Sequence, residues 1–261
     1  LRKVLPSHGP ARCDPQQVRQ LHEAGREAAP VCALPRSAAD EATVNHDAAQ
    51  STRLAPKYNL MPKLKPRHVG LAVEVFSGSA RWSTAMRREG WLVVEWDLKL
   101  GSLYDLSVHA NFDRLCSLIR KADVVHVGTP CSSFSTARRG KLGSPGGPMR
   151  SKENPYGLPG LNDIDQAKVL LGNLLLERTI AIVKLCIDLD IYVSVENPRL
   201  SRLWWCPNML DLIAHEGVKV SLDFCAYGTL WKKPTTFAVW NTRALDCLSC
   251  FCHGKHVDGT Y

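Results

Sequence analysis

No stretch of this chain approaches the roughly 18 to 20 consecutive apolar residues that a membrane span requires, and no basic segment followed by a short apolar core marks a secretory signal. The expectation is therefore a protein without a membrane partner. Gly-x-Gly-x-x-Gly is also missing, which removes the usual dinucleotide fingerprint. Residues 1–67 are poor in β-branched residues and rich in Pro, Ala and charge, with Pro30, Pro35, Pro56, Pro62 and Pro66 as punctuation. They read as a linker that is disordered or partly helical, with one helix over 15–29. Cysteine is not scarce. The ten Cys lie at irregular spacing in apolar runs, Cys116 and Cys186 among them, which fits free thiols and an intracellular, reducing compartment.

A formal net charge of +8 favours polyanionic partners. The chain opens on Leu1, and we expect it to be a piece of a longer polypeptide, such as a mobile element's polyprotein. From Val69 the pattern changes to alternating strands and helices. Strands are expected at 71–76, 91–96, 122–127, 191–196, 218–224 and 235–240, and helices at 79–89, 110–120, 164–189 and 207–216. In the longest helix Val169, Leu176, Ile180, Val183 and Ile187 recur at helical spacing and belong to a core. Such alternation implies an α/β fold with a mostly parallel, doubly wound (Rossmann-like) sheet covered on both faces. The domain limits are 68–242 for this unit and 243–261 for a short Cys/His-rich tail.

Four expected strand ends carry polar residues to one edge, where open α/β sheets bind ligands. The first ends in Phe76-Ser77-Gly78, a tight turn before a helix that lets backbone N–H groups approach a ligand. The second ends in Glu95-Trp96-Asp97, about 20 residues on, where an acidic group holds a ribose in doubly wound folds and a Trp can stack on adenine. The third runs into Thr129-Pro130-Cys131-Ser132-Ser133-Phe134-Ser135, and the fourth into Glu196-Asn197-Pro198. A single thiol is ordinarily a core residue. The company of Cys131, in a small polar loop at a strand mouth, marks it as a nucleophile.

In order and spacing these segments resemble the DNA cytosine-5 methyltransferases, and Ala226-Tyr227-Gly228 through Thr235 resembles a late Tyr-Gly block of that family. The resemblance runs over residues 69–241. It implies an S-adenosyl-L-methionine-dependent methyltransferase sheet, with the methyl donor at Phe76, Ser77, Gly78, Glu95, Trp96 and Asp97, and with Asp105 and Leu106 at the adenine edge. It implies Cys131 as the nucleophile that adds to C6 of cytosine after Pro130, Glu196 as the acid at N3, and Asn197 as a loop brace. A thiolate suits the task because it adds readily and later leaves. A target base inside a duplex must be flipped out. For nucleic-acid contacts we expect Ser133, Ser135, Arg138, Arg139 and Arg150, in a mobile, basic, Gly-rich lid that also carries Lys141 and Lys152, together with Lys232 and Lys233.

The chain departs from the family at Pro198, where Val is usual, and at Lys232 and Lys233, where Gln-x-Arg-x-Arg is usual. It is short between Asp97 and Asp105, and about twenty residues follow Trp240, so target recognition is expected to come from further domains. Transfer to an exocyclic amino group would need an Asp/Asn-Pro-Pro-aromatic loop, which Thr129-Pro130-Cys131-Ser132 does not supply. The expected substrate is DNA, which implies a nuclear or nucleoid location. RNA cytosine methylation and a non-catalytic nucleic-acid-binding remnant are the alternatives. In the tail, Cys247, Cys250, Cys252, His253 and His256 are candidate zinc ligands, although they crowd into ten residues where two separated pairs are usual.

Overall fold

Short runs of Val, Ile and Leu bounded by glycine or polar turns build a single six-stranded sheet in the computed structural model, which describes residues 69–138, 140–229, 232–242, 248–252 and 254. The expectations for 1–67, with their helix over 15–29, lie outside the described residues. The strands are β1 (Leu71–Val75), β2 (Leu92–Trp96), β3 (Val124–Val127), β4 (Tyr192–Pro198), β5 (Val218–Asp223) and β6 (Pro234–Trp240). The helices are α1 (Arg81–Arg88), α2 (His109–Ile119), α3 (Asp163–Asp188) and α4 (Pro207–Ala214). Where a further helix has no room, between Asp97 and Asp105, the chain makes two 3₁₀ turns, Leu98–Leu100 and Ser102–Tyr104.

Spatial order is β2-β1-β3-β4-β6-β5. Strands β1 to β4 are mutually parallel, and β6 inserts antiparallel between β4 and β5. The chain leaves β1 toward β2 and then returns past it to β3. The strand order therefore reverses between β1 and β3, the switch point at which such sheets hold ligands. Among the described residues no helix is long and apolar enough to cross a membrane.

The two faces differ in chemistry because side chains alternate along each strand. Val73, Val75, Val125, Val127, Val193, Val195, Ala238 and Trp240 join one core with Phe112 and Leu115 of α2, Leu176 and Val183 of α3, and Met209 of α4. On the opposite face Glu74, His126 and Ser194 stand in register across three strands. Among the described helices α1 alone docks here, with Ser83 N donating to Glu74 Oε2 at 2.9 Å and Trp82 stacked on His126 at 5.2 Å. Coverage is thus lopsided: three helices lie on the apolar face, and the polar face opens into a cleft.

Candidate active site

That cleft, of ≈ 600 Å³, lies at the switch point and spreads over the polar face. Its wall includes Phe76, Ser77 and Gly78 from the turn after β1, Trp82 from α1, His126 and Gly128 from β3 and its exit, Glu196 from β4, and Lys233 and Phe237 from β6 and its approach. The size suits a small-molecule site. The turn after β1 is unusual, since Phe76 and Ala80 join Gly78 at positive φ, 57° and 55° for the two non-glycine residues. Such backbone persists where its surroundings hold it, and is concentrated at ligand clamps. Gly128 is required where the exits of β1 and β3 converge: a Cβ there would lie 3.0 Å from Phe76 O.

Residues from β3 and β4 meet at the strand ends. Buried Asn197 donates from Nδ2 to Thr129 O at 2.6 Å, so the brace acts on the Cys131 loop itself rather than on the segment that carries Glu196. Thr129 Oγ1 reaches Thr179 Oγ1 of α3 at 2.9 Å, which pins the same loop from below. Phe134 N donates to Cys131 O at 3.0 Å, closing a turn that begins at the thiol. Antiparallel pairing of β6 with β4 sets Thr235 opposite Pro198, and this brings Lys233 across to Glu196. Lys233 Nζ lies 3.2 Å from Glu196 Oε1, an ion-pair distance without hydrogen-bond alignment, and that oxygen is buried with no hydrogen-bond partner among the described residues. Lys233 thus faces the cleft acid rather than only outer solvent, while Lys232 is half-buried beside it.

The Cys131 thiol is half-buried, and burial, followed by the Glu196 carboxylate, pushes it above its ordinary value. Lys233 and a backbone hydrogen bond oppose this. In the free protein the sulfur therefore rests as a thiol, and it is coupled to the charge state of Glu196. Burial, ahead of the charge on Glu95, likewise raises the Glu74 carboxyl, while its hydrogen bonds from Ser83 pull the other way. Burial and then Lys233 depress the His126 imidazole to about 4, so it is neutral at physiological pH. Sequence reading missed Glu74, His126, Trp82 and Phe237. Glu74 and His126 carried a signal, a titratable residue inside an otherwise apolar strand, whereas Trp82 and Phe237 carried none.

The basic loop is arranged otherwise than expected. Arg150 is fully buried and donates to Ser133 O, Ser133 Oγ, Pro155 O, Asn173 Oδ1 and Val169 O, with its guanidinium 3.9 Å from the centre of the Phe134 ring. It and Ser133 are an internal staple between the Cys131 loop and α3, unavailable to a phosphate. Gly172, in mid-helix, makes the room: a Cβ there would collide with Ser133 Oγ and sit 2.8 Å from Arg150 Nη2. Arg138 donates to Gly147 O at 2.6 Å and to Asp165 Oδ2 at 2.7 Å, so it too ties the loop to α3 rather than reaching outward as part of a lid. Ser135 Oγ accepts from Ala137 N at 3.1 Å, a local turn. Arg139 lies outside the described residues.

The residues expected at the methyl donor diverge in the same way. Trp96 is buried in the apolar core against Tyr104, ring centres 5.1 Å apart, because its register partner is Val75 and not Glu74. Leu106 is in that core as well. Glu95 pairs with Arg87 at 2.7 Å. Asp97 accepts from Gly78 N at 2.8 Å and Lys99 N at 2.9 Å, which fixes the turn after β1 to the end of β2. Asp105 Oδ1 accepts from Ser107 N and Oγ. Phe76, Ser77 and Gly78 do line the cleft, and Ser77 Oγ is buried there without a partner.

In the tail, Cys252 N donates to Asp223 Oδ2 at 3.0 Å and Cys250 O accepts from Asp223 N at 2.9 Å, which lays the segment along the end of β5 with Cys252 beside Cys225. Among the described residues no group of three or more His, Cys, Asp or Glu is placed to hold a metal. Cys247, His253 and His256 lie outside them.

No protein-family model matches the chain, and no curated protein matches it. Among solved structures it is similar to a mutant of DNMT2 from Spodoptera frugiperda, with 13% identity and a TM-score of 0.31, over 67% of this chain. The match spans 51%, about half, of the length of that protein.

Proposed function

We propose that this chain is an S-adenosyl-L-methionine-dependent methyltransferase acting on C5 of cytosine in DNA, by way of a covalent bond from Cys131 to C6. The observation that carries the reading is the meeting of β3 and β4: Asn197 holds the loop of Cys131 at 2.6 Å, and Glu196 sits near enough to perturb the thiol. C5 of cytosine becomes nucleophilic only when a group adds at C6. As Sγ adds there, the Glu196 carboxylate takes the thiol proton and passes it to N3, toward which the ring electrons move. A thiol held above its ordinary value fits this relay, since it surrenders its proton only as the base arrives. Lys233 stabilises the carboxylate between turnovers. Once C5 has gained the methyl group, loss of the C5 proton to water expels the thiolate, and the N3 proton returns through Glu196 to the sulfur, which restores both the ring and the thiol.

The cofactor, when bound, supplies an electrophilic methyl group on a sulfonium. Glu74 and the aromatic faces of Phe76 and Trp82 suit that cation, and the unpartnered Ser77 Oγ suits its polar amino-acid end. Glu95, Trp96, Asp97 and Leu106 are committed elsewhere and do not form the ribose and adenine pocket that the family resemblance implies. That commitment favours a second reading, a nucleic-acid-binding remnant that has lost the methyl donor.

The test incubates the full chain with labelled S-adenosyl-L-methionine and with DNA or RNA carrying 5-fluorocytosine, whose fluorine blocks release. A denaturation-resistant adduct on Cys131 with DNA, absent in Cys131→Ala, is the expected result. An adduct with RNA alone moves the substrate to RNA. No adduct and no cofactor binding leaves the remnant. Methylation that survives Cys131→Ala overturns the mechanism.

A further inference from the structure

His126 is the one titratable side chain of β3, and the proposed chemistry leaves it without a task. It sits between Glu74 and Ser194 in register, on the face that carries Glu196 two residues along β4. Its ring is held on three sides: stacked on Trp82 at 5.2 Å, tilted against Phe237 at 6.0 Å, and bonded through Nδ1 to Ser194 Oγ at 2.8 Å. The other nitrogen, Nε2, makes no hydrogen bond among the described residues, and it is not among the buried polar atoms left without a partner. The ring lines the cleft, so Nε2 opens into it.

Burial and the nearby Lys233 keep the imidazole neutral, with a value of about 4. A neutral imidazole fixed at one nitrogen offers a single directional hydrogen bond at the other, and a uniform core histidine would have both ends satisfied. Phe237, directly opposite Glu196 across the β4–β6 pair and 6.0 Å from the His126 ring, gives both residues a common apolar neighbour. His126 and Glu196 line the same cleft, whose ≈ 600 Å³ admits a nucleobase.

We propose that His126 recognises the flipped base, with Nε2 hydrogen-bonding one polar edge of the pyrimidine while Glu196 engages another. The ring would thereby select a pyrimidine and set its C6 toward Cys131. This rests on the cytosine reading above. An abasic nucleotide would leave Nε2 without its partner.

The substitutions that test it exploit the two ring nitrogens. Asn reproduces the reach of Nδ1 and keeps the Ser194 bond, whereas Gln reproduces Nε2. With a single-stranded deoxyoligonucleotide carrying one cytosine, His126→Asn should raise KM about tenfold with kcat within about twofold, the size expected for one lost hydrogen bond. His126→Gln should recover most of that loss. Urea midpoints of both variants at neutral pH separate binding from folding. Independently of turnover, ¹⁵N-histidine spectra of the wild-type chain should show the His126 Nε2 resonance move with this oligonucleotide and stay still with its abasic counterpart.

Adduct formation without that shift overturns the inference and leaves the cytosine chemistry standing. A shift with S-adenosyl-L-methionine alone also overturns it, and assigns the ring to the cofactor. A cytosine-dependent shift without any adduct sustains base recognition while the methyl-transfer reading falls. Neither shift nor adduct removes both.

Discussion

At the ends of β3 and β4 the polar side chains turn toward one another, while at the end of β2 they turn inward. Glu196 and Lys233 pair with one another and act electrostatically on Cys131, and Asn197 holds the loop that carries the thiol. Trp96, Leu106, Glu95 and Asp97 each have a partner within the fold and leave little for a ligand. The difference follows from register. Glu196, in register with Phe237, stands on the face that opens into the cleft, whereas Trp96, in register with Val75, points into the core and Glu95, in register with Glu74, meets Arg87 of α1. The half to which we assign the base is built around Cys131, and the half to which we assign the methyl donor is built around the turn after β1.

The heaviest test of this contrast falls on the staple beneath the Cys131 loop. Arg150→Met keeps the aliphatic length but orphans five acceptors around Ser133, Pro155, Val169 and Asn173. We expect a loss of about 4 kcal/mol, at the high end for a point change, read as a fall in the urea midpoint. A change under about 1 kcal/mol would return Arg150 to the surface, where it was first expected. The sequence could not distinguish these roles. Arg138, Arg139 and Arg150 look alike in a Gly-rich basic stretch, and what assigns two of them inward is a set of backbone carbonyls and a mid-helix glycine, Gly172, far away in the chain.

The next test concerns the polar face itself. His126 titrates near 6.5 when unfolded and at about 4 when folded. Between those values the unfolded chain binds more protons, so this residue's contribution is complete above about pH 6.5 and is lost as pH falls toward 4. At pH 4.5 the loss is about 2.5 kcal/mol relative to pH 7. Replacing the ring with Gln should flatten that part of the stability profile, and an unchanged profile would mean that the imidazole is not buried neutral.

Within the nucleophilic half, the coupling of thiol and acid has a sign that can be reversed. Glu196→Gln removes the carboxylate that helps to hold the Cys131 thiol up, so its alkylation by iodoacetamide should reach half-maximal rate at lower pH and run several-fold faster near pH 8. Lys233→Gln removes a cation that acts the other way and should slow the reaction. Identical profiles for both variants would break the link on which the proton relay depends.

Much of this was legible beforehand. All six strands and all four helices of the described region fall within about two residues of the positions that periodicity marks, because apolar runs, glycine turns and helical stripes are local signals. Which face a residue occupies is not local. It depends on pairing between strands far apart in the chain, and that is why Trp96 reads as a stacking platform in one dimension and packs as core in three. His126 was detectable on the same logic, as the odd residue in Val124-Val125-His126-Val127.

The smallest expected effect is also the sharpest measure of the contrast. The Arg87–Glu95 pair is half exposed, so Glu95→Gln should cost less than about 1 kcal/mol of stability. If Glu95 is committed to α1, binding of S-adenosyl-L-methionine by calorimetry should change by less than about twofold. A loss of tenfold or more, worth about 1.4 kcal/mol, would mean that the carboxylate leaves Arg87 for the ribose hydroxyls. In that event the inward turn at the end of β2 is a resting arrangement of the free protein, and the two halves of the edge differ only until the methyl donor arrives.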